Sequence, residues 1–433
     1  MRTRLAAKLC IAAVLFLGAL PARAEVTCLE RLPVQDGARV LWIGNSLVGG
    51  GSTEGIAGWV QHALGQGQEP TDIQIGRMTL WGLGLYHHYT ADSYVWTKHN
   101  NPHYYTNLDP TDRTAVQMIR DGLDGKPWDV VFLQDYTHDG KPEQAGTLFK
   151  YARKFDLLIR QCGGQPVFFM RWSDNPYVFE GLTPKEGGWS QRQTPSLVEN
   201  YTRIGRELGD PVVPLAVIWR DLYENPPAAL TFHEDNGKYA TYPVKAPEGG
   251  PPAREKFLYR GDNIHQAASG EAVNTYAFYA MLTGRSPEGL PLTFDDYDEN
   301  ANPEVDAAIE QRVWKHLAER VGRAGESSGK ANAAYDAATG DLTVTISGRV
   351  IGLRVGTPGF GDGKGKLLHG AFKLGEYGPV QSDTEVLAYY AEDGLPPGTY
   401  QLAGAVQPGT PVEEVFFAFT PATGPTGQGI PTQ

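Results

Sequence analysis

Three apolar runs of strand length restrict this 433-residue chain more than any other feature: Arg39-Val-Leu-Trp-Ile-Gly-Asn45, Trp128-Asp-Val-Val-Phe-Leu133 and Pro166-Val-Phe-Phe-Met-Arg171. A strand with one wet face alternates apolar and polar residues. A strand apolar almost throughout must be covered on both faces, as in a parallel sheet clothed by helices. The intervening segments supply those helices. Residues 54–65, 143–161 and 196–208 read as helical, Val212–Trp219 as a fourth strand, and a helix follows His265 through about Leu282. Strands alternating with helices imply parallel βαβ units and an α/β sheet.

Two long segments fit no regular element. Residues 81–112 are rich in Trp, Tyr, His and Asn; residues 226–258 are rich in Pro, Gly and charge. Segments of this length are functional loops or disordered. A helix near 303–321 closes the α/β region, and the small, polar residues 322–330 read as a linker. Beyond it, Leu342–Ile346, Val350–Val355, Glu385–Tyr390, Thr399–Ala403 and Val415–Phe419 read as short strands between turn residues. That pattern predicts a small β-sandwich or barrel over 331–420. Residues 421–433 read as a disordered tail.

The start of the chain bears on its compartment. Arg2, Arg4 and Lys8 precede an apolar run from Leu9 to Leu20, and Ala22-Arg23-Ala24 offers small residues for cleavage. Residues 1–24 therefore read as a secretory signal peptide, and the run is short for a membrane span. The expected location is secreted or periplasmic, with no membrane insertion after cleavage. The net charge of −12 becomes about −16 once a leader with four basic and no acidic residues is removed. Such a product is a poor ligand for nucleic acid and is repelled by anionic lipid. Two cysteines then remain, Cys28 and Cys162. They form one disulfide in an oxidising compartment or stay as two buried thiols.

Chemistry enters with Gly44-Asn45-Ser46 at the end of the first strand. A serine hydroxyl is a weak nucleophile that needs a base and an electropositive pocket. A strand-end turn exposes the hydroxyl and brings backbone N–H groups near it. Far downstream lies Asp262-Asn-Ile-His265. A carboxylate three residues before a histidine can fix the imidazole tautomer and leave the other nitrogen as base.

Together, in this order, the two motifs resemble the SGNH (GDSL-like) hydrolase family. The resemblance spans roughly residues 38–284. It implies a flavodoxin-like three-layer α/β/α sandwich with a parallel sheet over residues 25–321, and a triad of Ser46, His265 and Asp262. It also implies an oxyanion hole made by the N–H of Ser46, that of Gly82 (Gly84 as runner-up, in Trp81-Gly-Leu-Gly84) and the side chain of Gln134. Gln134 departs from the family's asparagine, as Asn45 departs from the commoner aspartate; Trp128–Gln134 is similar to a bacterial branch in which glutamine takes that place. Asn45, Trp81, His88, Arg171 and Trp172 are expected to bind substrate.

The expected activity is that of an exported serine esterase without cofactor, acting on acylated small molecules or polysaccharide. The aromatics and histidines of residues 81–107 suit sugar rings or pack the loop onto the sheet. An O-acyltransferase with the same triad and a non-catalytic glycan-binding protein are the competing readings. His87, His88, His99 and His103 lack a metal-ligand pattern, and the acidic run 295–300 lacks the glycine and terminal glutamate of a calcium loop. No metal is expected.

Overall fold

The computed structural model describes residues 32–49, 55–66, 73–80, 82–91, 105–106, 113–135, 142–174, 189–228, 258–259, 264–290, 303–318, 329–357, 365–368, 370 and 372–422. The leader, Cys28, Trp81, His99, His103, Asp262, residues 295–300, most of the linker and the tail from 423 lie outside them.

Strands β1 (Ala38–Gly44), β2 (Ile73–Thr79), β3 (Tyr105–Thr106), β4 (Val130–Leu133), β5 (Gln165–Met170) and β6 (Val212–Pro214) form one sheet in the order β3-β2-β1-β4-β5-β6. All pairings are parallel except that of β3, a short antiparallel edge. The parallel strands alone follow the flavodoxin-like order 2-1-3-4-5. The chain steps outward from β1 to β2, then returns past β1 to β4. This reversal opens a crevice at the carboxyl ends of β1 and β4, where open α/β sheets bind ligands.

Helices cover both faces. Val40 and Trp42 of β1 point to one core, shared with α2 (Gly55–Gln66), α7 (Leu215–Glu224), α8 (Ala268–Thr283) and α9 (Pro303–Leu317). Leu41 and Ile43 point to the other, shared with α3 (Leu85–Thr90), α4 (Ala115–Asp121), α5 (Pro142–Gln161) and α6 (Trp189–Leu208). A four-residue helix, α1 (Ser46–Gly49), follows β1. The architecture is a three-layer α/β/α sandwich.

Several elements differ from expectation, among them α3 and β3, which fall in the stretch 81–112 that reads as irregular. Val212–Trp219 is not one strand: β6 ends at Pro214, and Leu215, Ile218, Trp219 and Leu222 form the buried face of α7. A short apolar run fits strand and buried helix equally well. β2 was not expected, because Gly76 and Arg77 interrupt its apolar residues; a Cβ on Gly76 would stand 2.6 Å from the Trp128 ring. α4 was also not expected, although Thr114 and Gln117 form a capping box at its start.

The C-terminal strands are β7 (Lys330–Asp336), β8 (Asp341–Ser347), β9 (Val350–Gly356), β10 (Gln381–Ser382), β11 (Val386–Leu395), β12 (Gly398–Leu402) and β13 (Phe416–Pro421). They build two antiparallel sheets, β10-β11-β9-β13 and β12-β8-β7, which share one core. This is a small β-sandwich.

The sandwich packs on α5 and α6 through β9, β11 and β13. Leu157, Val386, Ala388 and Ala418 form an apolar patch there, and ion pairs surround it. Arg354 of β9, 1% exposed, lies with Nε 2.8 Å from Asp156 Oδ2 and donates to the last carbonyls of α6, Glu207 at 3.2 Å and Leu208 at 3.1 Å. Those carbonyls have no partner within a helix. Arg160 joins Asp156 at 2.6 Å to Asp210 at 2.5 Å. Burial, and next the Asp156 carboxylate, push the Asp210 carboxyl well above the usual range, against the pull of Arg160 and Arg354. Arg153 holds Glu207 at 2.6 and 2.9 Å and reaches Gln381 of the sandwich at 3.2 Å. Gly352 permits this approach, since a Cβ there would stand 2.2 Å from the Glu207 carbonyl oxygen.

Removing one partner of a buried pair leaves the other charge stranded. Arg354→Ala is expected to cost about 3–5 kcal/mol, read as a lower urea midpoint of the full chain. Arg206→Ala, at the exposed Arg206–Glu392 pair, is expected to cost less than about 1 kcal/mol.

Candidate active site

β1 ends at the reversal point of the sheet, and its last residue is Gly44. A Cβ there would stand 2.6 Å from Val48 and 2.7 Å from Gln134 Oε1, so the turn accepts only glycine. The Gly44 carbonyl receives two hydrogen bonds, from Leu80 N–H at 2.9 Å and from His88 Nε2 at 2.8 Å. Asn45 N–H donates to Gln134 Oε1 at 2.9 Å. The chain then enters α1, with the Asn45 side chain accepting from Leu47 N–H at 3.0 Å as an N-cap.

Ser46 is thereby fixed as the first helical residue, partly exposed, and its Oγ lies 2.8 Å from His265 Nε2. These residues are 219 positions apart. Ties on either side of His265 bring it there. The Ile264 carbonyl accepts Trp172 Nε1–H at 2.9 Å, and Gln266 Nε2 donates to the Leu47 carbonyl at 3.3 Å. Trp172 stacks flat on Trp219, with centroids 4.3 Å apart and planes at 5°. Tyr259 donates to the Ser173 carbonyl at 3.0 Å, and Tyr259 bridges Gln266.

Among the described residues, the N–H groups of Ser46 and Gly82 form no hydrogen bond. Gly82 has φ +69° and open space where a Cβ would stand. The N–H of Gly84, by contrast, donates to His87 Nδ1 at 3.3 Å. Gly82 is therefore the available donor of the two.

Several expected roles require correction. Gln134 has no exposed surface; its Oε1 holds Asn45 N–H and its Nε2 donates to the Asp135 carbonyl at 2.6 Å. It clamps the turn, with Oε1 and one of the two Nε2 hydrogens taken by main chain. Asn45, His88, Arg171 and Trp172 are at most 2% exposed and contact protein instead of lining a cleft. Asn45 caps α1, and His88 braces Gly44. Arg171 donates to Asp174 at 3.0 Å and to the Trp172 carbonyl at 3.1 Å, while Trp172 holds the His265 loop. A polar or indole group at a strand end reads as exposed in sequence, but here each of these side chains is buried and bonded to nearby protein groups. Trp81 and Asp262 lie outside the described residues.

Residues that sequence reasoning passed over also shape the site. Asp135 accepts Leu85 N–H at 2.7 Å and so pins the start of α3; an acid directly after a buried strand was the available signal. Tyr259 and Gln266 carried none. Among the described residues, no cluster of three His, Cys, Asp or Glu could hold a metal ion, and no helix is long and apolar enough to cross a membrane. Burial pushes the Cys162 thiol up to about 11.

No family model and no curated protein matches the sequence. Solved structures that resemble it include a DUF4886 family protein from Bacteroides uniformis, with 14% identity and TM-score 0.42, covering 65% of this chain and 95% of that one. Axe2, an acetylxylan esterase from Geobacillus stearothermophilus, has 12% identity and TM-score 0.35, covering 57% and 94%. LAE5, an alpha/beta hydrolase enzyme from the metagenome of Lake Arreo, has 14% identity and TM-score 0.34, covering 58% and 97%.

Two predictions follow from the braces. Burial lowers the His88 pKa from 6.5 to about 4, so the ring is neutral near pH 7. The unfolded chain takes up this proton first as pH falls. Stability held above pH 6.5 is therefore lost between 6.5 and about 4, by about 3 kcal/mol in total. Urea titrations across that window should show a shallower loss in His88→Gln than in the native protein. Trp172→Phe keeps the ring stack but deletes the bond to Ile264. With that bond worth about 1 kcal/mol, the urea midpoint of the full chain should fall by a corresponding amount.

Proposed function

We propose that this chain is an exported serine esterase of the SGNH hydrolase type, acting on acyl groups, acetyl above all, carried by carbohydrate. One observation carries the reading: an alcohol and an imidazole 219 residues apart meet at 2.8 Å, at the reversal point of a doubly wound sheet. His265 Nε2 takes the Ser46 proton as Oγ attacks the ester carbonyl. Asp262 is assigned the carboxylate that steers the imidazole. The N–H groups of Ser46 and Gly82 face the developing oxyanion. Gln134 enters this scheme as the residue that fixes the Ser46 turn. His265 then protonates the leaving alcohol, and a water activated by the same base releases the acid.

The carbohydrate part rests on chemistry around the site. Tyr86, 43% exposed on α3, presents its ring 4.9 Å from His87. It directly follows the Gly82–Gly84 turn, and the rest of the 81–107 segment is aromatic as well. Flat rings stack on sugar faces, and a strongly acidic protein favours neutral substrates. The leader-like residues 1–24 support export.

The test uses p-nitrophenyl esters from acetyl upward, together with acetylated oligosaccharides. Hydrolysis of short acyl esters and release of acetate from the sugars is expected. Ser46→Ala should lower kcat by about 10⁴–10⁶, and a fluorophosphonate probe should label the native protein alone. Folded Ser46→Ala that still hydrolyses would sink the proposal.

A further inference from the structure

The helix that braces the Ser46 turn also touches the β-sandwich. On α3, His88 reaches inward to the Gly44 carbonyl at 2.8 Å. Its neighbour Tyr89, 1% exposed, points the other way, and its hydroxyl donates to Glu385 Oε1 at 3.4 Å. Glu385 stands immediately before β11, 296 residues along the chain from Tyr89. The second carboxylate oxygen of Glu385 pairs with Lys154 of α5. The Lys154 ammonium lies 5.4 Å from the centre of the Tyr89 ring and 3.4 Å from Asp383. The Tyr89 ring is closed in by Phe155 at 5.2 Å and Tyr151 at 5.7 Å.

The helix is thus held at both ends. Asp135, from the end of β4, anchors its first N–H; Glu385, from the sandwich, anchors its last turn. Between the anchors sits His88, and three positions before Leu85 sits Gly82, whose N–H has no hydrogen bond among the described residues. An apolar contact alone would let so short a helix slide or rotate, whereas a buried hydrogen bond selects one setting. A buried charge pair is also a weak route to stability compared with packed apolar side chains, so stability alone does not account for Glu385 and Lys154.

We propose that Glu385 is a positioning residue for the esterase site: through Tyr89 it sets α3, and through α3 it sets the Gly44 brace and the Gly82 donor. The β-sandwich is then part of the catalytic apparatus. This inference rests on the esterase reading above. It assigns the second domain a role beyond that reading, which needs the α/β domain only.

The test uses the full chain with Tyr89→Phe, Glu385→Met and the double variant, and Glu392→Gln as a control elsewhere on the domain interface. Each is assayed for kcat and KM on p-nitrophenyl acetate and for the rate of fluorophosphonate labelling of Ser46. Thermal unfolding confirms the fold. Loss of one hydrogen bond should lower kcat and labelling about three- to tenfold in each single variant, with KM unchanged. The double variant should be no slower than the slower single, because both act through one contact. Glu392→Gln should match the native protein. Unchanged kcat in Tyr89→Phe overturns the proposal, as do losses that multiply in the double variant. Should Glu385→Met not fold, Tyr89→Phe decides alone, since it removes only a hydroxyl. A native protein with no Ser46-dependent hydrolysis defeats the esterase reading and this inference with it. An active, Ser46-dependent native protein with unaffected variants defeats this inference only.

Discussion

The carbonyl oxygen of Gly44 is the point on which the site hangs. It ends a strand buried on both faces, so its two acceptor positions need donors from protein. Leu80 supplies one from the end of the neighbouring strand and His88 the other from α3. With the carbonyl held and the next N–H bonded to Gln134, the backbone can turn only toward the crevice. Ser46 is delivered there as a consequence of main-chain bookkeeping. His88 does this as a neutral ring: a desolvated imidazolium would cost more than the bond returns, which is why burial drives its pKa down.

The same logic of satisfying buried groups explains how the two domains meet. α6 ends beneath the sandwich, where Glu207 and Leu208 are buried and their carbonyls need donors from protein. Arg354 answers two of them and also sits against Asp156. Asp156, Glu207 and Asp210 are wholly buried. Each belongs to the α/β domain, yet the cations and donors around them come from both domains. Apolar contacts contribute a small patch around Leu157, and specific charge placement does the rest. Charged pairs of this kind define one docking geometry more sharply than they add stability.

How much could be read from the chain beforehand follows from which interactions are local. The apolar runs of β1, β4 and β5 announced a doubly covered sheet, because burial on both faces leaves its mark on every residue. Ser46 and His265 stood out by residue type, a hydroxyl at a strand-end turn and a distant histidine, and the fold brings them to 2.8 Å. Asn45, His88, Arg171 and Trp172 were misread as pocket residues, since a polar group near a strand end looks the same whether it meets a ligand or a buried carbonyl. β2 was hidden because Gly76 makes room for Trp128, a relation between distant segments. Asp156 and Arg160, four apart on α5, look like an ordinary solvated helix pair; they are buried beside Arg354 and Asp210, residues far along the chain.

The sandwich follows the α/β domain in the chain, and this order gives the docking surface a history during synthesis. Asp156, Glu207 and Asp210 are made first, together with Arg153 and Arg160, and Arg354 and Glu385 come later. The seam is therefore completed by about the last-made quarter of the polypeptide, which brings Arg354 to a flank whose carboxylates already hold arginine partners of their own.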